Sequence, residues 1–334
     1  MTAKDRASRP TIEIGLTTYN GEAYLPALLE SIFAQTCQDF TLLVSDDAST
    51  DGTEAIIERY AERHPGRIVK LPPDGLRRGV VANFDRVLAH ADADYVFLCD
   101  HDDVWLPHKI ERSLEAMLAL EAEHAPGTPL LVHTDLVVTG PELEILGESF
   151  FDYAGVDPRR NDPAQLLLAN VATGCTTVIN RALRLQARPI PDEAIMYDHW
   201  LALVAVTRGA IAFVDEPTVL YRQHGRNAIG AKPARTRTML QRVYGTLVSR
   251  EREHVLKRYS RQAEVLLARF GDQMSPSDRA ATETVARLWD MPRFRRFASL
   301  RRCGLGLEGL ARNIALMIVV TRGKSGSAAG ADGS

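Results

Sequence analysis

Strand and helix signals alternate through the first half of the chain, and this order constrains the fold more than any other feature. Apolar runs at residues 12–16, 42–44, 68–71 and 95–98 predict four short strands. Apolar residues at helical spacing lie between them, as at residues 80–88. Strands that alternate with helices form a largely parallel sheet with helices on both faces. The sequence therefore predicts an α/β fold.

Three of these apolar runs end in polar clusters. The clusters are residues 17–20, the pair Asp46 and Asp47, and residues 100–103. In open α/β sheets, ligands bind beyond the carboxyl ends of the strands. We therefore expect a binding site at this edge of the sheet.

The sharpest cluster places three carboxylates, Asp100, Asp102 and Asp103, within four residues. These carboxylates repel one another, and placing them after an apolar strand costs stability unless a cation or hydrogen-bond donors compensate. A divalent cation with oxygen ligands would compensate, and a nucleotide diphosphate would share that ion. The alternative is an acidic turn that leads into a helix opened by Pro107.

The second cluster runs from Asp46 to Thr53. A carboxylate at the end of a strand can accept hydrogen bonds from the imide N–H of a base or from ribose hydroxyls. The alternative is a solvated turn in which Asp51 caps the following helix.

Two later segments offer a base and a metal ligand. Asp198 lies at the start of an apolar helix, where a carboxylate tends to stay ionised, so it could act as a general base on an acceptor hydroxyl. Simple helix capping is the alternative. His224 could bind a metal as neutral imidazole, or could be only a partly buried hydrogen-bonding group, while Arg222 could meet phosphate oxygens.

Charge separates the end of the chain from its body. The net charge is −3, which argues against a nucleic-acid partner. Between Pro292 and Lys324, however, stand eight Arg or Lys residues and one Glu, with aromatic and then apolar residues among them. This pattern suits an interfacial element attracted to anionic lipid. The alternatives are a helix packed on the catalytic body and an oligomer contact.

Length and composition set the remaining bounds. With 334 residues, 45% of them hydrophobic, the chain can bury a full core and is expected to form about two domains. It has no apolar run of transmembrane length, no signal-peptide pattern near Met1, and four cysteines without zinc-site spacing. We therefore expect a cytoplasmic protein.

Taken together, these clusters resemble glycosyltransferase family 2, the inverting enzymes of the GT-A fold, over about residues 11–230. The matching segments are Thr18-Tyr19-Asn20, residues 45–53, Asn83-Phe84, residues 100–105, Thr173-Gly174-Cys175, residues 197–200 and residues 221–227. The resemblance implies a Rossmann-like mixed sheet with helices on both faces as a catalytic domain at 11–230. A helical C-terminal extension at 231–324 and flexible tails at 1–10 and 325–334 complete the expected organisation.

The resemblance also implies a role for each matching residue. Asp198 would be the general base, and Asp102 and His224 would bind Mg²⁺ or Mn²⁺. Tyr19 would lie against the donor base, and Arg77 or Arg78 could reach the diphosphate. The full set of residues expected to bind the nucleotide sugar is Thr18, Tyr19, Asn20, Asp46, Asp47, Arg78, Asn83, Asp100, His101 and Arg222.

The chain departs from the family pattern in places. Thr17 stands where many members have Pro, and Tyr197 stands where many have Glu. The Q-x-x-R-W motif of processive members is absent, so the resemblance implies transfer of a single sugar.

The closest subgroup resemblance is to rhamnosyltransferases that use dTDP-L-rhamnose. It implies a saccharide or lipid-linked saccharide acceptor in cell-surface polysaccharide synthesis. The alternatives are a UDP-hexose donor, a sugar-nucleotide nucleotidyltransferase and a non-catalytic sugar-nucleotide sensor. A nucleotidyltransferase should have a Gly-rich phosphate loop after its first strand, and residues 17–20 contain no Gly.

Overall fold

The computed structural model describes residues 10–73, 75–225, 251–307 and 309–321. The expected tails, the junction near residue 230 and the matching residues Arg226 and Asn227 lie largely or wholly outside these ranges. The division into a catalytic domain and an extension stays a prediction.

The first half of the chain forms the parallel part of the sheet, as the alternation predicts. Its strands are β1 (Ile12–Thr18), β2 (Thr41–Asp46), β3 (Ile68–Lys70) and β4 (Tyr95–Asp100), and they lie in the order β3-β2-β1-β4. The helices between them are α1 (Leu25–Phe33), α2 (Thr53–Arg63) and α3 (Val80–His90). Because β1, β2 and β4 run parallel, the polar clusters that follow them meet at one edge.

The second half makes the sheet mixed. The elements are β5 (Val104–Trp105), α4 (Lys109–Ala122), β6 (Leu130–Thr139), β7 (Ile145–Gly147), α5 (Phe150–Ala154), α6 (Pro163–Leu166), β8 (Val178–Asn180), α7 (Arg181–Ala187), α8 (Tyr197–Arg208) and β9 (Ala210–Arg222). The sheet continues from β4 through β8, β6 and β9 to β5, and β7 pairs with β6. Strand β8 is antiparallel to both neighbours. This is the expected GT-A-type mixed sheet.

One expectation about the strands is wrong. The apolar runs at residues 211–214 and 219–222 predict two separate short strands, but β9 is a single strand across both. Its pairing with β6 shifts register between Thr134 and Val137, where Asp135 pairs with Pro217. The irregularity accommodates Pro217, which has no N–H to donate, so the strand continues to Arg222.

Two hydrophobic cores lie on opposite faces of the sheet. Side chains of β4 alternate between them: Phe97 joins the core with α1, α2 and α4, whereas Val96 joins the core with α3 and α8. The expected helices on both faces are therefore present.

Four helices at the end of the chain join the second of these cores. They are α9 (Glu251–Phe270), α10 (Pro276–Ala286), α11 (Arg293–Arg302) and α12 (Leu310–Thr321). Leu266, Leu300 and Leu316 are buried there with Trp200 of α8. The inner sides of these helices thus pack on the catalytic body. No helix in the described ranges is both long and apolar enough to cross a membrane.

Candidate active site

Residues 100–103, which we call the acidic loop, and the end of β9 hold each other in place. The loop follows β4, and β5 just beyond it pairs with β9. Arg222 donates its backbone N–H to Asp103 Oδ1 at 3.1 Å and its Nε–H to the Asp102 carbonyl at 3.0 Å. His224 Nε2 lies 2.9 Å from Asp102 Oδ2. The expected metal ligands, Asp102 and His224, are therefore adjacent in space although 122 residues separate them.

The carboxylates of the acidic loop disfavour one another's charge. Burial, together with the charges of Asp102 and Asp198, raises the pKa of Asp100 to about 8. Burial, with the charges of Asp102 and Asp100, raises the pKa of Asp103 well above its usual range. When the pKa of an acid rises on folding, the folded protein becomes less stable as the pH rises from the unfolded-state pKa to the folded-state pKa. The loop is thus most strained in the ionised state that a cation would stabilise.

The donor atoms around the loop suit a hard divalent cation. One oxygen of Asp100, one oxygen of Asp103 and Cys175 Sγ lie within 4.8 Å of one another. Burial raises the pKa of the Cys175 thiol well above its usual range, so this residue is a neutral thiol and a poor ligand for Mg²⁺. The buried Oδ2 of Asp103 has no hydrogen-bond partner among the described residues. Carboxylates with one imidazole fit Mg²⁺ or Mn²⁺.

Tyr24 is part of this site, and sequence reasoning missed it. Its ring stacks on the His224 imidazole with centroids 4.7 Å apart, and the Arg222 guanidinium lies 4.8 Å from the same ring. In the sequence, Tyr24 is spaced with Leu25, Leu28 and Leu29 as one member of an apolar helix pattern. Only the fold brings the end of β9 over that ring, so no local signal identifies the contact.

The carboxylates of the second cluster bind groups of the chain itself. Asp46 accepts hydrogen bonds from the Thr18 hydroxyl at 2.6 Å and from the Ser49 hydroxyl at 2.6 Å. Asp47 accepts the backbone N–H groups of Arg78 at 2.6 Å and Gly79 at 2.9 Å, just before α3. Asp47 is only 5% exposed, so the solvated-turn alternative is wrong for it. Contacts of Asp46 and Asp47 with a base and ribose stay predictions.

Asp51, in contrast, holds the start of α2 much as the capping alternative proposed. Its Oδ1 accepts the backbone N–H of Thr53 at 3.0 Å. The residue at the N-cap position itself is Gly52.

Tyr19 and Asn20 lie at the rim beside this cluster. The Arg77 guanidinium lies 4.1 Å from the Tyr19 ring, so of the two arginines left open by the sequence it is Arg77 that faces Tyr19. Asn20 adopts a left-handed conformation with φ of 48° and accepts the Thr50 N–H at 2.8 Å.

Two other expected donor-binding residues have close packing roles. Asn83 is buried at the start of α3, where its amide accepts from the Ser45 hydroxyl at 2.6 Å and donates to the Ser45 carbonyl at 3.0 Å. The His101 ring packs on Gly21, where an added Cβ would lie 2.6 Å from the ring. His101 therefore requires a residue without a side chain at position 21.

Asp198 is the second residue of α8 and is not its cap. The N-cap is Met196, with no side-chain capping bond. Asp198 instead accepts the Gly174 N–H at 3.0 Å and the His199 N–H at 2.6 Å. Burial raises its pKa to about 6, against the opposing effect of these N–H groups. Asp198 is therefore not the N-cap residue, although it does accept one N–H of the first turn of α8.

Tyr197 connects Asp198 to the acidic loop. Its hydroxyl lies 3.2 Å from Asp100 Oδ2, and a Cβ at Gly174 would lie only 2.0 Å from that hydroxyl. Position 174 must therefore remain glycine for Tyr197 to reach Asp100. The structure thus brings Asp198, Asp100, Asp102 and His224 to one rim of the sheet.

Comparison with known proteins identifies the family. Residues 13–183, a little over half of the chain, match the family described as "Glycosyl transferase family 2". The dTDP-rhamnosyl transferase RfbG of Shigella flexneri is 27% identical over 230 residues, which cover 65% of this chain and 74% of RfbG. The Escherichia coli protein named UDP-Glc:alpha-D-GlcNAc-diphosphoundecaprenol beta-1,3-glucosyltransferase WfgD is 24% identical over 127 residues, 38% of this chain and 49% of WfgD.

A solved structure shares the fold. The crystal structure of S. aureus TarS 1–349 superimposes with a TM-score of 0.53 at 17% identity, covering 93% of this chain and 90% of that one. Because the motif order, the mixed sheet and the family match agree, the chain belongs to glycosyltransferase family 2, with a GT-A-type fold and a nucleotide-sugar donor.

Proposed function

We propose that this enzyme is an inverting, metal-dependent transferase that adds a single L-rhamnose from dTDP-L-rhamnose to a saccharide or lipid-linked saccharide. The similarity to RfbG, whose name gives dTDP-rhamnosyl transfer, supports this donor. The similarity to WfgD, whose name gives UDP-glucose and a diphosphoundecaprenol-linked acceptor, supports the lipid-linked acceptor and keeps a UDP-hexose as the second candidate donor. The product would serve cell-surface polysaccharide synthesis.

The observation that carries the mechanism is the link from Asp198 through Tyr197 to Asp100. It supports the proposal that Asp198 acts as a base beside a loop whose acidic groups would hold a cation. Asp198 would remove the proton of the acceptor hydroxyl as that oxygen attacks the anomeric carbon. The nucleotide diphosphate would leave from the opposite face, so the configuration would invert. With no covalent intermediate, one carboxylate is sufficient.

The acidic loop would serve the leaving group. Asp102 and His224 would hold Mg²⁺ or Mn²⁺, which would offset the charge that develops on the nucleotide diphosphate. Tyr19 would offer its ring to the base, and Arg222 would contribute positive charge near the phosphates. The remaining expected contacts, with Asp46, Asp47 and other residues of the rim, belong to the same proposal.

The decisive experiment measures nucleotide release by the purified protein with dTDP-L-rhamnose, UDP-glucose and UDP-N-acetylglucosamine in turn. A lipid-diphosphate-linked monosaccharide serves as acceptor, with Mg²⁺ or with EDTA. We expect turnover with dTDP-L-rhamnose and Mg²⁺ and its loss in EDTA. Turnover with only a UDP-sugar would show that the donor is that sugar nucleotide and not dTDP-L-rhamnose. Full turnover in EDTA would contradict the metal requirement.

The Asp198→Asn variant tests the base in the same assay. We expect unchanged donor binding and a loss of at least about 10²-fold in turnover, the usual effect of removing a positioned base. The exposed carboxylate of Asp192, in the loop before α8, provides the matched control as Asp192→Asn. Wild-type turnover by Asp198→Asn would remove Asp198 from the mechanism.

We also propose that the enzyme acts at the inner face of the plasma membrane. The outward side of α11 exposes Arg293, Phe294, Arg295, Arg301 and Arg302, which we call the basic face. Phe294 is 72% exposed, and no acidic residue lies in α11. An exposed aromatic ring among arginines fits an anionic lipid surface.

A further inference from the structure

Helix α9 of the C-terminal region packs directly on the segment that carries Asp198. Gln262 of α9 is 1% exposed, and its amide reaches that segment twice. Its Oε1 accepts the backbone N–H of Ile195 at 2.8 Å, and its Nε2 donates to His199 Nδ1 at 3.2 Å. Because the amide is buried, water cannot replace either bond if it is lost.

His199 transmits this contact to Asp198. His199 Nε2 lies 2.6 Å from the Leu166 carbonyl, an acceptor, so the proton is on Nε2 and Nδ1 accepts from Gln262. Burial lowers the pKa of His199 to about 4, so the ring is neutral near pH 7. The backbone N–H of the same residue donates to Asp198 Oδ1 at 2.6 Å. The ring of His199 is thus held by Gln262, and its backbone N–H holds Asp198.

Neighbouring residues of α9 support the same segment. The Tyr259 ring meets the His199 ring edge-on with centroids 5.5 Å apart. The Arg258 guanidinium donates to the Ile195 carbonyl at 3.1 Å. Three residues on one side of α9 therefore fix the backbone from Ile195 to His199.

We propose that Gln262 is a positioning residue for Asp198, so that helix α9 contributes to the geometry of the active site. This inference rests on the proposed role of Asp198 as the base. It extends the proposed machinery from the sheet and α8 to the C-terminal helices.

A positioning role predicts effects that a role in stability alone does not. If the segment from Ile195 to His199 shifts, the Asp198 carboxylate moves relative to the His199 and Gly174 N–H groups, and both hydrogen bonds weaken. Both bonds favour the ionised carboxylate, so weakening them moves the acid limb of the pH–rate profile to higher pH. The titratable groups that face Asp198 among the described residues are Asp100, Tyr197 and Tyr259, and none of them changes in the variants below.

The test compares Gln262→Met, which keeps the size of the side chain but removes both hydrogen bonds, with Ser260→Ala. Ser260 is also buried in α9, but among the described residues its hydroxyl bonds only to the Leu256 carbonyl of the same helix. For Gln262→Met we expect kcat to fall about 10-fold or more, the donor KM to stay within about 2-fold, and the acid limb to rise by about half a pH unit or more. Ser260→Ala should match the wild type in all three.

Two further variants separate the possible failures. Asp198→Asn is assayed in parallel, and wild-type turnover by that variant overturns the proposed function itself. If Asp198→Asn is inactive while folded Gln262→Met keeps the wild-type kcat and acid limb, only the positioning role is overturned. Should Gln262→Met not fold, Gln262→Asn decides by the same readouts, because it keeps a neutral amide whose shorter side chain cannot reach both Ile195 and His199.

Discussion

At the scale of single residues, burial and hydrogen bonding shift the pKa of Asp198 in opposite directions. Burial raises its pKa to about 6, whereas the His199 and Gly174 N–H groups favour the charged form. A carboxylate with this pKa is mostly ionised near pH 7 and is still a stronger base than an exposed aspartate. The same residue can therefore be both charged and reactive at physiological pH.

This environment predicts the acid limb of the wild-type enzyme. A base must be ionised to act, so kcat should fall as the pH drops through about 6. One unit below the pKa, about a tenth of the activity should remain. Turnover with saturating donor, measured across this range with circular dichroism as a check on folding, decides the matter. A rate that is flat down to about pH 5 would contradict the role of Asp198.

Residue types in the motifs could be recognised from the sequence, but several of their contacts could not. Asp102 and His224 were expected to share a cation, and they lie 2.9 Å apart. Tyr24 and Gln262 were missed because their importance depends on partners far along the chain. A tyrosine in an apolar helix pattern and a glutamine in a charged helix carry no local sign of such partners.

At the scale of elements, strands with strong local signals were predictable and their distant pairings were not. The runs that became β1, β2 and β4 are apolar and end in polar clusters. The antiparallel position of β8 between β4 and β6 depends on long-range pairing, which no local pattern encodes. The same limit explains β9, because the irregular pairing with β6 that joins its two apolar runs is also a long-range feature.

Helix α12 offers a test of how firmly the C-terminal helices are attached. Leu316 is 3% exposed within the second core, whereas Leu310 of the same helix is 72% exposed. Leu316→Ala should lower the free energy of unfolding by about 2–5 kcal/mol, because it leaves a cavity. Leu310→Ala should change it by no more than about 0.5 kcal/mol. Urea unfolding measures both, and equal effects would show that α12 is not packed as described.

At the scale of the whole molecule, the C-terminal helices have two different sides. Their inner side shares the core of α8, and Arg312 donates to the carbonyls of Ala154 at 2.9 Å and Gly155 at 3.1 Å. The outer side carries the basic face. The sequence pattern allowed packing on the body, lipid contact or an oligomer contact. The inner side packs on the body, and lipid contact by the outer side stays a proposal.

Vesicle flotation tests the basic face. The full chain should float with phosphatidylglycerol vesicles and not with phosphatidylcholine vesicles, and high salt should weaken the binding. Arg295→Ser with Arg301→Ser should lower the affinity about tenfold or more, since each arginine near the surface contributes about 1 kcal/mol. The control pair is Arg59→Ser with Arg287→Ser, exposed arginines outside the basic face. Equal binding to both lipids, or equal loss in the control pair, would count against membrane docking.

The long separation between the acidic loop and its partners has a consequence during synthesis. Arg222 follows Asp102 by 120 residues, and Gln262 follows His199 by 63. At about 5–20 residues per second, the ribosome makes the acidic loop roughly 6–24 s before Arg222 is available to bind it. The nascent chain therefore exposes a group of mutually repelling carboxylates for seconds. The acidic loop gains its hydrogen bonds from Arg222 only after the end of β9 has been synthesised.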